Sequence, residues 1–324
     1  MSIMTKYSLV IPVYDRPQEI EELLDSITHQ QSEDFEVLIV EDGSHDDCES
    51  SIKKYSNQLD LKYFKIPNTG PSGARNYGAA QAKGEWLIFL DSDTLLPENY
   101  LIEVDSFLAK NETDAFGGAD KDREDFLPIQ KAISYSMTSF LTTGGIRGSR
   151  KSLEKFKPRS FNMGVKSIVF DHLNGFGKMR YGEDIDFSLR IEHAGFKSAY
   201  IPEAFVYHKR RTSFKSFFKQ IRHSGQARIL LSKIHRGSFK LVHLFPAAFS
   251  FGYLIAVMLL FLFPLLGLIL LLVYLAYFSI ILVHATMKSR KLKVGVLSTA
   301  ASFVQLTAYG YGFAKAGILT LLKG

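Results

Sequence analysis

Over the first ninety residues, short apolar runs alternate with stretches whose apolar positions recur at helical spacing. Residues 7–14 predict a first strand, closed by Asp15-Arg16-Pro17, and residues 17–31 carry Ile20, Leu23, Leu24 and Ile27 on one helical face. Residues 35–40 predict a second strand, closed by Glu41-Asp42-Gly43-Ser44, and residues 61–66 a third. Residues 86–90 form a continuous apolar run with aromatic and β-branched members, as expected of a strand buried on both faces of a parallel sheet. Strands alternating with helices imply right-handed βαβ units and a largely parallel sheet, hence an α/β fold.

Further along, residues 204–207 predict another short strand and residues 184–191 an amphipathic helix that follows a glycine-rich turn. The pattern then changes. Residues 244–283 contain no charged side chain and are interrupted near the middle by Pro264 and Gly267. About 20 apolar residues cross a bilayer, so this stretch predicts a transmembrane hairpin with a very tight turn. Residues 294–322 are a third hydrophobic segment, readable as a further span or as a re-entrant or interfacial helix. Between the two regions, residues 213–236 predict a basic helix with Phe214, Phe217, Phe218, Ile221, Leu230 and Leu231. Such a helix lies on an anionic leaflet or packs on its own protein. The expected organisation is a catalytic domain over 1–212, a membrane-proximal helix over 213–240 and a transmembrane region over 241–324.

Three predicted strand ends present Asp15, Asp42 and the Asp91/Asp93 pair, and ligands of open α/β sheets collect at such ends. Two carboxylates one residue apart suit Mg²⁺ or Mn²⁺ shared with a substrate phosphate. The same tripeptide also serves as a solvated capping turn. Glu183-Asp184 is a candidate acid/base pair, and equally what capping and the helix dipole favour in a first turn. His208 follows a predicted strand and is a candidate metal ligand or an ordinary histidine.

Taken together, the stretches at 10–16, 40–44, Gly73-Ala74-Arg75-Asn76-Tyr77-Gly78, 89–93 and 182–190 resemble, in order, the motifs of family 2 glycosyltransferases. The resemblance covers about residues 6 to 210 and implies a GT-A nucleotide-sugar-binding domain with a mainly parallel central sheet. It implies that Pro12, Asp15, Asp42, Arg75 and Asp91 bind the nucleotide sugar: Asp42 near the base, Asp15 near base or ribose, Arg75 at the diphosphate, and Asp91 at ribose or metal. Asp15 departs from the Asn more usual there. Asp93 and His208 are the implied ligands of Mn²⁺ or Mg²⁺, Asp184 the implied general base of a single inverting displacement, and Glu183 its neighbour. For Arg75 a plain ion pair is the competing reading. Residues 161–165 fall where relatives carry an acceptor-side segment. Gly144 to Arg150 reads as a mobile loop whose Arg147 and Arg150 meet phosphates, or as a basic surface loop.

Gln220-Ile221-Arg222-His223 does not reproduce the Gln-x-x-Arg-Trp motif of processive synthases, which favours single-sugar transfer. Asp91-Ser92-Asp93-Thr94-Leu95 also departs from the Asp-Ala-Asp-Leu-Gln of polyprenyl-phosphate glycosyltransferases, the runner-up. A non-catalytic nucleotide-binding membrane scaffold is the third reading. The expected partners are a nucleotide-sugar donor, taken as a UDP-sugar, a glycan or lipid-linked acceptor, and membrane lipids.

The chain has 324 residues and a formal net charge of +6. Much of the basic excess flanks the hydrophobic segments, which argues against nucleic acid as partner and, by the positive-inside rule, places both ends of the hairpin in the cytoplasm. Residue 7 already opens a strand, so no signal peptide is expected and the protein is read as multi-pass in the inner cell membrane with a cytoplasmic catalytic domain. Cys48 is the single cysteine, so no intrachain disulfide is possible. The sugar, the acceptor and the oligomeric state are not legible in the sequence.

Overall fold

The computed structural model describes residues 5–144 and 156–322. In chain order the elements are β1 (Tyr7–Val13), α1 (Pro17–Thr28), β2 (Phe35–Asp42), α2 (Glu49–Ile52), β3 (Leu61–Ile66), α3 (Gly70–Gln81), β4 (Trp86–Leu90), β5 (Thr94–Leu95), α4 (Tyr100–Leu108), β6 (Ala115–Gly117) and β7 (Asp120–Lys121). They continue with α5 (Pro128–Thr138), α6 (Phe140–Thr143), β8 (Asn162–Lys166), α7 (Ser167–His172), α8 (Glu183–His193), β9 (Ser198–Tyr200), β10 (Val206–His208), α9 (Phe214–Ile234), α10 (Phe245–Leu262), α11 (Pro264–Ser289) and α12 (Leu292–Leu321). Two compact units result, one of Met1–Lys121 with Arg147–Lys209, the other of Asp122–Ile146 with Arg210–Gly324.

The first unit is built on a seven-stranded sheet of order β3-β2-β1-β4-β8-β6-β9. Strands β3, β2, β1 and β4 pair in parallel, as do β6 and β9, while β8 runs antiparallel to both β4 and β6. Successive side chains of a strand point to opposite faces, and both faces here are buried. Leu9, Ile11 and Val13 of β1 pack with Leu23, Leu24 and Ile27 of α1, whereas Val10, Leu38, Leu87 and Phe89 pack with Phe170, Phe176 and Phe187 on the other side. That is why these strands read as unbroken apolar runs. A second, three-stranded sheet of order β5-β10-β7 carries residues directly after Asp93 and ending at His208.

Most of residues 161–165 form β8 in the middle of the sheet, where Asn162 is fully buried, accepting from Tyr100 Oη at 2.6 Å and donating to the Ala204 carbonyl at 2.8 Å.

In the second unit, Ala132, Ile133 and Met137 of α5, Phe217 and Ile221 of α9, and Ala301 and Ala308 of α12 form one apolar core. Residues 122–144 therefore belong with the C-terminal helices and not with the sheet, although they precede residue 212. The same core shows the inner face of α9 packed on protein. Helices α10 and α11 are separated by Phe263 alone, and Gly267 permits the tight pairing, since a Cβ there would meet Leu260 N at 2.2 Å. Among the described residues, two helices, Leu241–Leu262 and Pro264–Ser289, are long and apolar enough to cross a membrane. The third segment, α12, buries Gly295, Ser298, Ala301, Ser302, Gln305, Ala308 and Gly312, a stripe of small and polar residues at three- and four-residue spacing.

Candidate active site

Pro12, Asp15, Asp42, Arg75, Asp91, Asp93, Glu183, Asp184 and His208 lie in the first unit and, apart from Pro12 in β1 and Arg75 in α3, at or beside the ends of elements. Pro12 sits within β1, in register with Val40. Asp15 follows that strand with a left-handed φ of +49°. Its Oδ1 accepts from His45 N at 2.7 Å and Asp46 N at 3.2 Å, and its own N–H donates to Ser44 Oγ at 2.8 Å. These bonds tie the β1 and β2 loops together, and the Asp46 N–H, then that of His45, hold the Asp15 carboxyl below the usual range despite slight desolvation. Asp42 is the buried last residue of β2 and accepts from Thr69 N at 2.6 Å and Thr69 Oγ1 at 3.0 Å, fixing the entry into α3. Gly43 is required beside it, because φ is +72° and a Cβ would fall 2.6 Å from Asn68 N.

Arg75, on α3, is buried and points at carboxylates. Nη2 donates to Asp91 Oδ1 at 2.6 Å and Nη1 to Glu183 Oε1 at 3.1 Å, while Nε has no hydrogen-bond partner. Burial opposes the charge, and Asp91 with Glu183 more than restores it, so its pKa is raised. The ion-pair geometry is thus what the structure places at Arg75, and it links the end of β4 to the start of α8.

Asp93 Oδ2 accepts from Arg16 Nη1 at 2.5 Å, and Asp93 Oδ1 lies 3.2 Å from His208 Nε2. The small sheet produces this proximity: β5 begins immediately after Asp93, His208 of β10 registers with Thr94, and Lys209 N donates to the Asp93 carbonyl at 2.8 Å. Asp91, Asp93 and His208 each offer a ligand atom, all within 4.8 Å of one another. Two carboxylate oxygens and an imidazole nitrogen form a donor set that fits Mn²⁺, and Mg²⁺ with less use of the imidazole.

Helix α8 starts at Glu183 after Gly182, whose φ is +79°. Burial, then the adjacent Asp184, pushes the Glu183 carboxyl up to about 7 against the pull of Arg75. Asp184 accepts from Ile185 N at 2.8 Å, and its Oδ2 lies 3.6 Å from Arg159 Nη1.

Three residues at the site had no assigned role in the sequence reading: Arg16, Asp120 and Arg159. Arg16 stands inside the first motif, so adjacency to Asp15 was the available signal. Arg159 and Asp120 belong to the stretch between motifs, where no pattern marked them. Arg147 and Arg150 lie outside the described residues.

A mixed sheet with acidic residues at the carboxyl ends of its parallel strands, followed by an Asp-x-Asp turn, defines a GT-A type α/β fold. Residues 8–173 match the model of glycosyl transferase family 2, and residues 129–285 that of glycosyl transferase family group 2. The chain belongs to glycosyl transferase family 2. It is 34% identical over 115 residues to the poly(ribitol-phosphate) beta-N-acetylglucosaminyltransferase TarS of Staphylococcus aureus, covering 34% of this chain and 20% of that protein. It is 28% identical over 212 residues to the GalNAc(5)-diNAcBac-PP-undecaprenol beta-1,3-glucosyltransferase of Campylobacter jejuni, covering 62% and 64% respectively. The stretches matched in several of the most similar relatives span only 15% to 20% of those proteins. In fold it resembles the mannosyltransferase PcManGT from Pyrobaculum calidifontis in complex with GDP-Man and Mn²⁺ (TM-score 0.60, 17% identity, 97% of this chain and 89% of that one). It also resembles S. aureus TarS 1-349 in complex with UDP-GlcNAc (TM-score 0.50, 19% identity, 96% and 92%).

Proposed function

We propose that this protein is a membrane-anchored, metal-dependent, inverting glycosyltransferase that moves one sugar from a UDP-sugar onto a hydroxyl of a lipid-linked glycan. The observation that carries the reading is the joining of Asp91 and Glu183 through Arg75, which brings a candidate metal triad and a candidate acid/base pair into one site. Asp93, His208 and Asp91 would hold the cation, which when bound supplies Lewis-acid stabilisation of the departing nucleoside diphosphate. Asp42 and Asp15 order the loops where base and ribose would bind. Asp184 takes the proton of the acceptor hydroxyl, and Glu183 binds that acceptor or orients the base. Arg75 acts by holding Asp91 and Glu183 in place.

The donor class is supported by the relative named as an N-acetylglucosaminyltransferase and by the fold shared with the UDP-GlcNAc complex. The acceptor class is supported by the relative named for an undecaprenol-linked acceptor together with the two apolar helices of this chain. Cations on both flanks of the hairpin support an inner-membrane protein with its hairpin ends in the cytoplasm.

The test is nucleotide release by detergent-purified protein with Mn²⁺ and lipid extract across UDP-, GDP- and dTDP-sugars. Release from a UDP-sugar that chelation of the metal abolishes is expected. Release from no donor, with nucleotide binding intact, would contradict the assignment and favour a scaffold.

A further inference from the structure

Beside the metal triad, and outside every motif that carried the family resemblance, stands a fully buried carboxylate. Asp120 Oδ2 lies 3.8 Å from His208 Nδ1, on the opposite side of the imidazole from Asp93, and the Asp120 side chain has no exposed surface. Strand pairing explains the placement. β7 and β10 run in parallel with Val206 opposite Asp120, and residues two apart on a strand share a face, so His208 sits diagonally across from Asp120 on the same side. The approach to β7 is fixed by Gly118, where a Cβ would fall 1.7 Å from the Ala204 carbonyl oxygen, so the chain reaches Asp120 along a path only glycine allows.

A neutral imidazole has one bare nitrogen and one N–H. If Nε2 is the nitrogen offered beside Asp93, the proton must sit on Nδ1, and the group facing Nδ1 decides how firmly that tautomer and ring orientation are held. We infer that Asp120 is a positioning residue of the metal site: its buried carboxylate takes the Nδ1–H of His208 and thereby presents Nε2 to the cation held with Asp91 and Asp93. A 3.8 Å separation closes to hydrogen-bond distance with a small rotation of either side chain. The inference rests on reading Asp91, Asp93 and His208 as metal ligands.

The experiment is a double-mutant cycle on the full-length protein in detergent, with Mn²⁺ alone titrated and its free concentration read by electron paramagnetic resonance. Asp120→Asn should weaken Mn²⁺ binding by about 10- to 100-fold, the usual cost of losing a partner behind a metal-bound histidine. In the His208→Gln background the same substitution should change it by less than about twofold, because the effect passes through the imidazole. Wild-type affinity in Asp120→Asn, or an equal loss in both backgrounds, would overturn the role of Asp120 while leaving the triad intact. No Mn²⁺ binding by the wild type, or none lost in His208→Gln, would overturn the triad and this inference together. Should Asp120→Asn fail to fold, the wild-type protein decides the matter: with diamagnetic Zn²⁺ bound in place of Mn²⁺, nitrogen-15 NMR of His208 should show the proton on Nδ1 and none on Nε2, and a proton on Nε2 would overturn the inference.

Discussion

Arg75 and Asp91 form a 2.6 Å ion pair in which the guanidinium is buried, and the same guanidinium reaches Glu183 at 3.1 Å. One side chain of α3 therefore fixes two carboxylates from distant parts of the chain. Removing one member of such a group leaves the others uncompensated, which costs about 3 to 5 kcal/mol in buried pairs. Arg75→Ala is expected near the lower end, about 3 kcal/mol, because Asp91 keeps some solvent contact, and Arg75→Lys should recover only part of it for want of the forked geometry. Thermal unfolding of the three proteins checks this. Full recovery by Lys would show that a single charge suffices.

The raised pKa of Glu183 has a definite sign in stability. Its ordinary value is 4.5, and burial followed by Asp184 pushes it up to about 7. The folded state thus keeps a proton that the unfolded chain releases, and this contribution is fully present below about pH 4.5 and lost as pH rises through about 7. Melting temperatures taken from pH 5 to 8 should show the wild type losing stability relative to Glu183→Gln as pH rises. Parallel curves would mean that Glu183 titrates normally.

How much of this was legible beforehand depended on how each residue announces its surroundings. β4 was visible because a strand buried on both faces needs apolar residues at every position, as residues 86–90 have. β8 was not, because Asn162 is buried through two side-chain bonds and Gly164 leaves room for the Phe116 ring, which would meet a Cβ at 2.1 Å. Neither residue reads as strand. Apolar periodicity located α9, but such a face looks alike whether lipid or protein covers it, and only the packing of Phe217 and Ile221 on α5 and α12 decides for its inner side. At the site, motif order pointed to Asp91, Asp93, Glu183 and Asp184, and the place of His208 after a predicted strand made it a candidate, while the bond from Arg75 to Glu183 joins residues 108 apart and no local pattern encodes it. Asp120 stayed hidden for a related reason, since strand register alone places it behind His208.

Helices α9 and α12 cross at glycines on both sides. A Cβ at Gly312 would fall 2.0 Å from the Arg222 carbonyl oxygen, and one at Gly225 would fall 2.3 Å from that of Tyr309. Backbone cannot yield as a flexible side chain does, so Gly312→Val should destabilise by about 1 to 3 kcal/mol through overpacking. Unfolding of the detergent-purified protein tests this. An unchanged midpoint would mean that the two helices are not in contact in solution.

For the hairpin, the tight turn at Phe263 puts the two flanks of α10 and α11 at one end and the turn at the other. In a Cys48→Ser background, cysteines introduced at Lys240 and Arg290 should be protected from an impermeant thiol reagent in whole cells, and one at Phe263 should be labelled. Labelling of Lys240→Cys or Arg290→Cys would reverse the proposed orientation.

The most direct test of the account is the turnover of Asp184→Asn beside the wild type, measured as nucleotide release from the preferred donor at saturating Mn²⁺. Loss of a positioned base should lower the rate by about 10² to 10⁴ while donor binding stays within a few-fold, because Asp184 acts on the acceptor hydroxyl. Release at the wild-type rate would contradict the claim that this carboxylate carries the sugar transfer.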